Sequence, residues 1–241
     1  MLAVAAGAPF IVTIDGPAGT GKSTVAHRLA KRLRLEFLDT GAMYRAAALG
    51  ALERGMDPAD GPRVAALVRA MDLRFDWTRD PPELFVDGVA VGERIRTPEV
   101  TRAVSAVASN PLVRTAMVAA QREIARRHPR LVTEGRDQGS VVFPDADVRI
   151  YLDAHPEVRA RRRVEQLATK GIVTTEAEVL AQILERDRID STRRDGPLVR
   201  PSGAEIVDTS FIDIDEVIDR LEEVVRRCAG AALVESDRMG P

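Results

Sequence analysis

The chain has 241 residues, of which 45% are hydrophobic and 30% are charged, and its formal net charge is −2 at neutral pH. This near-neutral charge argues against a nucleic-acid-binding protein, which needs a basic surface. The single cysteine, Cys228, excludes an intramolecular disulfide and a multi-cysteine metal site, so we expect a cytoplasmic location. No apolar run reaches the ~18 residues of a membrane helix. Without a coiled-coil repeat or an obvious apolar patch, we expect a monomer that binds neither membranes nor nucleic acid.

Short β-branched runs alternate with longer helical patterns along the chain, which predicts an α/β fold with a parallel sheet covered by helices. The predicted strands are Phe10–Ile14, Leu35–Leu38, Leu131–Glu134, Val148–Leu152 and Glu205–Asp208. The predicted helices are Lys22–Arg34, Met43–Glu53, Pro58–Ala70, Pro98–Arg127, His155–Leu167, Glu176–Ile189 and Ile214–Arg227.

The rhythm changes between Leu73 and Ile95, where short extended pieces are broken by Asp-Pro-Pro and Asp-Gly. This pattern predicts a small antiparallel meander inserted in the α/β body. We therefore expect a core of residues 9–66 and 98–228, an insertion at 67–97, and a disordered tail at 229–241.

A glycine loop follows the first predicted strand and precedes the first predicted helix. Residues 16–23 read GPAGTGKS and satisfy G-x-x-x-x-G-K-[ST], in the structural context that this motif requires. Backbone N–H groups and the helix N-terminus can cradle phosphates there. The predicted ATP-binding residues are Gly16, Pro17, Ala18, Gly19, Thr20, Gly21, Lys22, Ser23 and Thr24. Lys22 should bridge the β- and γ-phosphates and Ser23 should be a ligand of Mg²⁺, the expected cofactor.

Lys22 is notable because only two other lysines, Lys31 and Lys170, occur among the 35 basic residues. A lysine inside the loop of an arginine-rich chain indicates a site that needs a compact point charge. The loop alone fits a GTPase, an ATPase motor or a small-molecule kinase. However, neither lysine outside the loop belongs to the [NT]-K-x-D motif of a GTPase, and a serine-glycine-glycine signature is absent.

Two further polar segments each follow a predicted strand: LDTGAMYRA, residues 38–46, and EGRDQGSVVFPDA, residues 134–146. Since ligands of such folds bind at the carboxyl ends of the strands, we expect both segments to contribute to a binding cleft. Thr40 and Arg45 could face a second phosphate, and Arg136 and Asp137 are adjacent where the chain leaves the sheet. Surface salt bridging is the alternative interpretation for Arg136 and Asp137.

Five segments of the chain together carry a family resemblance: DGPAGTGKST, LDTGAMYR, IRTPEVTRAVSAVASNPLVR, EGRDQGSVVFPDADVRIYLDA and ERDRIDSTRR. In this order and spacing, over about residues 10–227, they resemble the bacterial cytidylate kinase (CMP kinase) family. The resemblance implies a three-layer P-loop kinase fold with a central parallel sheet, a small antiparallel β insertion and a short lid at about 158–175. It also implies the transfer of the ATP γ-phosphoryl group to CMP or dCMP, which gives CDP or dCDP.

The resemblance assigns roles to residues on the acceptor side. Asp137, Arg114 and Ser105 would read the cytosine, Arg45, Arg136 and Arg193 would hold the acceptor phosphate, and Arg186 and Asp190 would lie near the pentose. With Thr40, the predicted substrate-binding set is Thr40, Arg45, Ser105, Arg114, Arg136, Asp137, Arg186, Asp190 and Arg193. Lys22, Arg136 and Arg193 are the predicted catalytic residues.

Alternatives remain for parts of this interpretation. The spacing of Arg186, Asp190 and Arg193 places them on one helix face, but it also fits ion pairs within the helix, such as Asp190–Arg194. The arginines at 159, 161, 162 and 163 fit a solvated basic face as well as a lid. The acceptor could be UMP or a non-nucleotide, and a non-catalytic nucleotide-binding switch is the rival from another class. Gln138 departs from the family, which often has an apolar residue there.

Overall fold

The computed structural model describes residues 2–4, 9–169, 171–229 and 233–235. The strands in these ranges are β1 (Leu2–Val4), β2 (Phe10–Asp15), β3 (Glu36–Asp39), β4 (Leu73–Asp76), β5 (Glu83–Val86), β6 (Val89–Ala90), β7 (Arg130–Gly135), β8 (Val148–Asp153), β9 (Glu205–Asp208) and β10 (Leu233–Glu235). The five strands predicted for the main sheet are confirmed within one residue at either end.

The α-helices of the described residues are α1 (Lys22–Leu33), α2 (Thr40–Glu53), α3 (Gly61–Ala70), α4 (Pro98–Ser109), α5 (Pro111–Arg127), α6 (Pro156–Ala168), α7 (Glu176–Thr192) and α8 (Ile214–Ala229). A 3₁₀ turn at Gly92–Arg96 and a π-helical turn at Gln138–Val142 complete the helical structure. No described helix is both long enough and apolar enough to span a membrane.

Two of the predicted helix starts are displaced by three residues, and an aspartate cap is the reason in each case. Helix α2 begins at Thr40 because the Asp39 carboxylate accepts a hydrogen bond from the Ala42 N–H at 2.8 Å. Helix α3 begins at Gly61 because Asp60 accepts from the Arg63 N–H at 3.2 Å. Such caps satisfy backbone donors that have no partner inside the helix.

The chain divides into two compact units, one formed by residues 1–35 and 132–241 and the other by residues 36–131. The main sheet is parallel and five-stranded, with the strand order β3-β7-β2-β8-β9. The predicted core of 9–66 and 98–228 and the predicted insertion at 67–97 describe a functional division, and they stay predictions.

The core of the first unit is built around β2 and β8, which pair in parallel with Val12 opposite Val148. Phe10, Val12 and Ile14 are all 1% exposed or less. A strand covered on both faces explains why this stretch is a nearly continuous apolar run. Helix α8 packs on β8, on β9 and on α1, the helix that follows the glycine loop.

Helices α6 and α7 pack on each other as a helical hairpin in the same unit. Ala160, Val179 and Ile183 form its buried apolar centre. The side chain of Thr175 accepts from the Glu178 N–H, and Glu178 accepts from the Thr175 N–H, so α7 starts with a capping box. The lid predicted at about 158–175 spans most of α6 and the connection to α7, and its role as a lid stays a prediction.

The second unit packs α2 on α4 and α3 on α5. The single helix predicted for Pro98–Arg127 is wrong, because α4 ends at Ser109 and α5 starts at Pro111. The break is at Asn110, whose side-chain oxygen accepts from the Leu112 N–H at 3.0 Å. A residue before proline avoids the helical conformation, and the Asn-Pro pair was the sequence signal for this break.

Strands β4, β5 and β6 form the expected antiparallel meander in the second unit, with Leu73 opposite Val86 and Phe85 opposite Ala90. Trp77 follows β4, and its indole N–H donates to the Phe37 carbonyl at 2.9 Å. The tail predicted as disordered at 229–241 lies mainly outside the described residues. Its described segment, Leu233–Glu235, pairs with Leu2–Val4 in a two-stranded antiparallel sheet.

Candidate active site

The glycine loop connects β2 to α1 and has the backbone conformation that the motif predicts. Gly16 has φ +150°, and a Cβ at this position would lie 2.1 Å from the Leu152 carbonyl oxygen. Only glycine therefore lets the loop leave the sheet so close to β8. Gly21, at the start of α1, has φ 87°, and no side chain caps the helix. The first N–H groups of α1 thus carry the partial positive charge that suits a phosphate.

The Lys22 side chain is folded back over the loop. Its ammonium donates to the Pro17 carbonyl at 2.6 Å, and the residue is only 5% exposed. The pKa of Lys22 is lowered to about 7, mainly by burial and also by the positive charges of Arg136 and Arg186, while Glu134 and Asp15 act in the opposite direction. A phosphate would supply the negative charge that this buried ammonium needs.

Ser23 and Glu134 bring a hydroxyl and a carboxylate together at the loop. The Ser23 hydroxyl donates to the Glu134 carboxylate at 2.9 Å, and Glu134 is 4% exposed at the end of β7. Oxygen atoms of this kind suit Mg²⁺, which is usually held by one or two protein groups, water and substrate phosphates. The described residues contain no group of three or more His, Cys, Asp or Glu side chains that could hold a metal ion. The sequence analysis missed Glu134, although its place at a strand end beside Arg136 was a signal.

A cluster of partly buried charges connects the segment after β7 with α7. Arg136 donates to Asp190 at 2.9 Å, and Arg193 and Arg186 lie 3.6 and 4.0 Å from the same carboxylate. Burial works against the charged form of Arg136, but Asp190 and then Glu134 outweigh it and raise its pKa. Burial likewise opposes ionisation of Asp190, yet Arg136, Arg186 and Arg193 together lower its pKa. This cluster brings together four of the predicted substrate-binding residues, so Asp190 is paired well beyond its own helix.

Asp137 and Asp15 meet at the turn that follows β7. Asp137 is 3% exposed and immediately precedes the turn Gln138–Val142. Asp15, the last residue of β2, accepts from the N–H groups of Gln138 and Gly139 at 2.7 and 2.8 Å. The pKa of Asp15 is raised to about 7, mainly by burial; the two backbone donors act in the opposite direction, and the nearby charge of Asp137 adds to the increase. Asp15 was not among the predicted site residues.

Arg159 has a structural role that the sequence did not reveal. Its guanidinium donates to the Ala18 carbonyl in the glycine loop at 2.9 Å and lies 2.7 Å from the Asp187 carboxylate on α7. The residue is 3% exposed, so the solvated-face interpretation is wrong for it. In contrast, Arg161 and Arg163 are exposed. Arg159 therefore braces the loop, whereas Arg161 and Arg163 face solvent and Arg162 donates to the Thr209 hydroxyl at 3.1 Å.

In the second unit, Arg45 extends from α2 to α4. It donates to the Thr101 hydroxyl at 2.9 Å and to the Ile95 carbonyl at 3.3 Å. Ser105 lies one helical turn after Thr101 on α4, and so on the same face of that helix. Thr40 is 2% exposed at the first position of α2.

Arg114 on α5 is 4% exposed and donates to the Tyr44 hydroxyl at 3.3 Å. Because Tyr44 precedes Arg45 and lies one turn after Thr40, the predicted residues of α2 and α5 share one region of this unit. Tyr44 was missed by the sequence analysis. A tyrosine in the motif LDTGAMYR, with a hydroxyl that needs a partner when buried, was the available signal.

Taken together, the first unit has a glycine loop, a buried lysine, a Ser–Glu oxygen pair and an arginine cluster whose field reaches the lysine. Such a set can neutralise the charge of two phosphates and align them without a covalent intermediate. Fold and site therefore define a P-loop phosphotransferase.

Comparison with known proteins gives the family. The cytidylate kinase family model matches residues 12–227. The cytidylate kinase of Nocardia farcinica is 48% identical over 217 residues, which cover 90% of this chain and 94% of the relative. The cytidylate kinase of Rhodococcus jostii is 47% identical over 222 residues, or 92% of this chain and 97% of the relative. The chain belongs to the cytidylate kinase family.

A solved structure of an uncharacterised protein from Eubacterium ventriosum matches with a TM-score of 0.50. The sequences are 12% identical, and the match covers 91% of this chain and 99% of the other. At this identity the likeness concerns the fold alone.

Proposed function

We propose that this protein transfers the γ-phosphoryl group of ATP to the 5′-phosphate of CMP and dCMP, and that it releases ADP with CDP or dCDP. The observation that carries the proposal is that Arg136 and Arg186 lie close enough to Lys22 for their positive charges to lower its pKa, beside a glycine loop in a chain of the cytidylate kinase family. A nucleotide acceptor phosphate brings two negative charges toward a triphosphate, and these cations offset the repulsion.

On the donor side, residues Gly16–Thr24 bind the ATP phosphates. The N–H groups at the start of α1 face the anion, and Lys22 moves from the Pro17 carbonyl to the transferred phosphoryl group. Ser23 and Glu134 would hold Mg²⁺, directly or through water. When bound, this ion neutralises charge on the phosphate oxygens. Arg159 keeps the Ala18 carbonyl turned away from the phosphates, because the guanidinium occupies that oxygen.

On the acceptor side, Arg136 and Arg193 hold the CMP phosphate with Arg45. Asp190 fixes the two arginines of the first unit and, with Arg186, would lie near the pentose. Asp137 accepts a hydrogen bond from the exocyclic amino group of cytosine, while Arg114 and Ser105 bind its acceptor atoms. The Thr40 hydroxyl faces the acceptor phosphate with Arg45. These assignments rest on the chemistry of the groups and on their match to the family pattern.

The reaction needs no dedicated general base, because a phosphate monoester with a second pKa near 6 is mostly ionised at neutral pH. An oxygen of that phosphate attacks the γ-phosphorus, and the bond from the γ-phosphorus to the β–γ bridging oxygen breaks. Lys22, Arg136 and Arg193 stabilise the charge on the transferred group. Catalysis then consists of alignment and electrostatic stabilisation.

The experiment that tests this function measures ADP formation from MgATP with CMP, dCMP, UMP, AMP, GMP or shikimate supplied separately. We expect strong turnover with CMP and dCMP and little with the others. If UMP or shikimate is turned over preferentially, that compound and not CMP is the acceptor. Nucleotide binding without product for any acceptor would indicate a switch. The predicted monomer is checked in the same preparation by light scattering, and the cytoplasmic location by cell fractionation.

A further inference from the structure

The Arg159 guanidinium on α6 is held at three points of the first unit. Its Nε donates to the Ala154 carbonyl, just after β8, at 2.9 Å. One terminal nitrogen donates to the Ala18 carbonyl in the glycine loop at 2.9 Å, and the same nitrogen lies 2.7 Å from an Asp187 carboxylate oxygen on α7. The guanidinium therefore joins the glycine loop to α7.

The contact with Ala18 sets the direction of the N–H group that follows it. The peptide bond between Ala18 and Gly19 is trans, and in a planar trans peptide the N–H points opposite to the carbonyl. The Gly19 N–H therefore points away from Arg159. Gly19 has φ +84°, and a Cβ there would lie 3.2 Å from the Arg159 Cβ, so α6 packs directly on the loop. Rotation of this peptide would turn an oxygen toward bound phosphates and remove one donor from the cradle.

Asp187 supplies the charge that keeps Arg159 in this position. The Arg159 side chain is 4% exposed and that of Asp187 is 19% exposed, and a guanidinium so deeply buried needs a negative partner. The second carboxylate oxygen of Asp187, Oδ1, is buried and has no hydrogen-bond partner in the part of the chain that the structure describes. The ion pair with Arg159, and not a hydrogen-bond network of its own, therefore sets the place of Asp187.

The charge of Asp187 also reaches Arg136 in the acceptor cluster, but its influence there is small. Burial works against the charged form of Arg136, and Asp190 and Glu134 both do more than Asp187 to raise its pKa. Asp190 is also the direct partner of Arg136, at 2.9 Å. The direct contact of Asp187 is with Arg159, so its main effect should be on the glycine loop.

We propose that Asp187 is a positioning residue for the phosphoryl donor: it holds the Arg159 guanidinium on the Ala18 carbonyl and so keeps the Gly19 N–H directed at the ATP phosphates. This inference rests on the proposed function, because it needs the glycine loop to bind ATP. Asp187 acts only through Arg159 in this role. Without the Asp187 charge, the guanidinium would leave the carbonyl, the peptide could rotate, and the loop would bind phosphates less tightly.

The test compares Asp187→Asn, Arg159→Met and the double variant by calorimetry, with ATP and CMP each titrated separately. Asparagine keeps the shape of aspartate and removes its charge. We expect Asp187→Asn to raise the Kd for ATP roughly tenfold and to leave the Kd for CMP unchanged. Arg159→Met should weaken ATP binding at least as much. The double variant should bind ATP no more weakly than Arg159→Met, because both changes act through one guanidinium. The KM values for ATP and CMP should show the same division.

Glu222→Gln is the matched control. Glu222 on α8 pairs with Arg32 on α1 at 3.2 Å, and its side chain is 17% exposed, close to the exposure of Asp187. This variant weakens another ion pair between two helices of the same unit and leaves the contacts of Arg159 in place. We expect it to bind both nucleotides as the unmodified protein does.

Folding of each variant is followed by thermal melting. If Asp187→Asn does not fold, Asp187→Glu replaces it, because glutamate keeps the charge beside Arg159 but moves the carboxylate by one methylene. The shifted guanidinium should then weaken ATP binding severalfold and leave CMP binding unchanged.

Equal weakening of ATP and CMP binding in the Asp187 variant would overturn the inference, because Asp187 would then support α7 as a whole. Unchanged ATP binding would overturn it as well. Losses that add in the double variant would mean that Asp187 does not act through Arg159. Failure of the unmodified protein to bind ATP would contradict the proposed function and this inference together. Normal ATP binding without CMP turnover would contradict the proposed function alone.

Discussion

The glycine loop and the turn after β7 both follow buried strands of one sheet. The glycine loop combines hydrogen bonds within its own motif with one distant contact, from Arg159, whereas the turn after β7 is capped from a distant strand. Within the glycine loop, Lys22 bonds the Pro17 carbonyl five residues away, and Thr20 bonds the same carbonyl. The turn after β7 depends on Asp15, more than 120 residues away, and Arg136 beside it depends on Asp190 in α7. A short sequence motif is enough to predict the glycine loop. The turn after β7 takes its conformation only when segments far apart in the sequence come into contact.

The largest effect is expected from the glycine loop. Lys22→Ala should lower turnover by roughly three orders of magnitude, because it removes a charge aimed at the transferred phosphoryl group. The fold should persist, because burying the Lys22 ammonium costs free energy and the alanine variant avoids this cost. ADP formation with saturating CMP measures the loss, and circular dichroism checks the fold. Lys31→Ala, on the same helix but outside the loop, is the control. Retained activity in Lys22→Ala would refute the assignment.

A substitution in the arginine cluster should lower the stability of the protein and not only the rate of the reaction. Asp190→Asn removes a negative charge that Arg136 and Arg193 share, and we expect a loss of about 3 kcal/mol in the free energy of unfolding. Denaturant melts of the unliganded protein measure it. Glu185→Gln, which breaks the exposed Arg188–Glu185 pair on the same helix, should change little. Equal effects for both variants would mean that the cluster is no more than surface pairing.

A smaller and more selective effect is expected at Asp137. Asp137→Ala should lower kcat/KM for CMP by roughly ten- to a hundredfold and that for UMP much less, because UMP has a carbonyl where cytosine has its amino group. Parallel assays with the two acceptors give the ratio. A proportional loss with both would remove Asp137 from base recognition and leave it a general support of the turn.

The smallest predicted effect is the uptake of a proton by Lys22 when ATP binds. The pKa of Lys22 is about 7 in the unliganded protein, below its ordinary value of 10.5, and bound phosphates should raise it again. At pH 8 the free lysine is mostly neutral, so ATP binding should take up close to one proton at this residue. At pH 6 the lysine is already charged, so ATP binding should cause almost no proton uptake at this residue.

Calorimetry in buffers of different ionisation enthalpy measures the number of protons taken up. The control is Lys22→Arg, whose side chain stays protonated at both pH values and should bind ATP without uptake at this position. If the unmodified protein and Lys22→Arg take up the same number of protons at pH 8, Lys22 is already charged before the nucleotide binds.

Sequence alone determined the α/β class, the main strands, the glycine loop and the family, because each depends on periodicity or on residues close together in the chain. The Asn110-Pro111 pair also indicates the break between α4 and α5. The helical periodicity on both sides of this pair nevertheless led to the prediction of a single helix. Only the tertiary structure decided which polar residues meet. Glu134 reaches Ser23, Arg159 braces Ala18 and Asp15 caps the turn at Gln138. In an arginine-rich chain each of these charges had many possible partners, and packing around the sheet selected one.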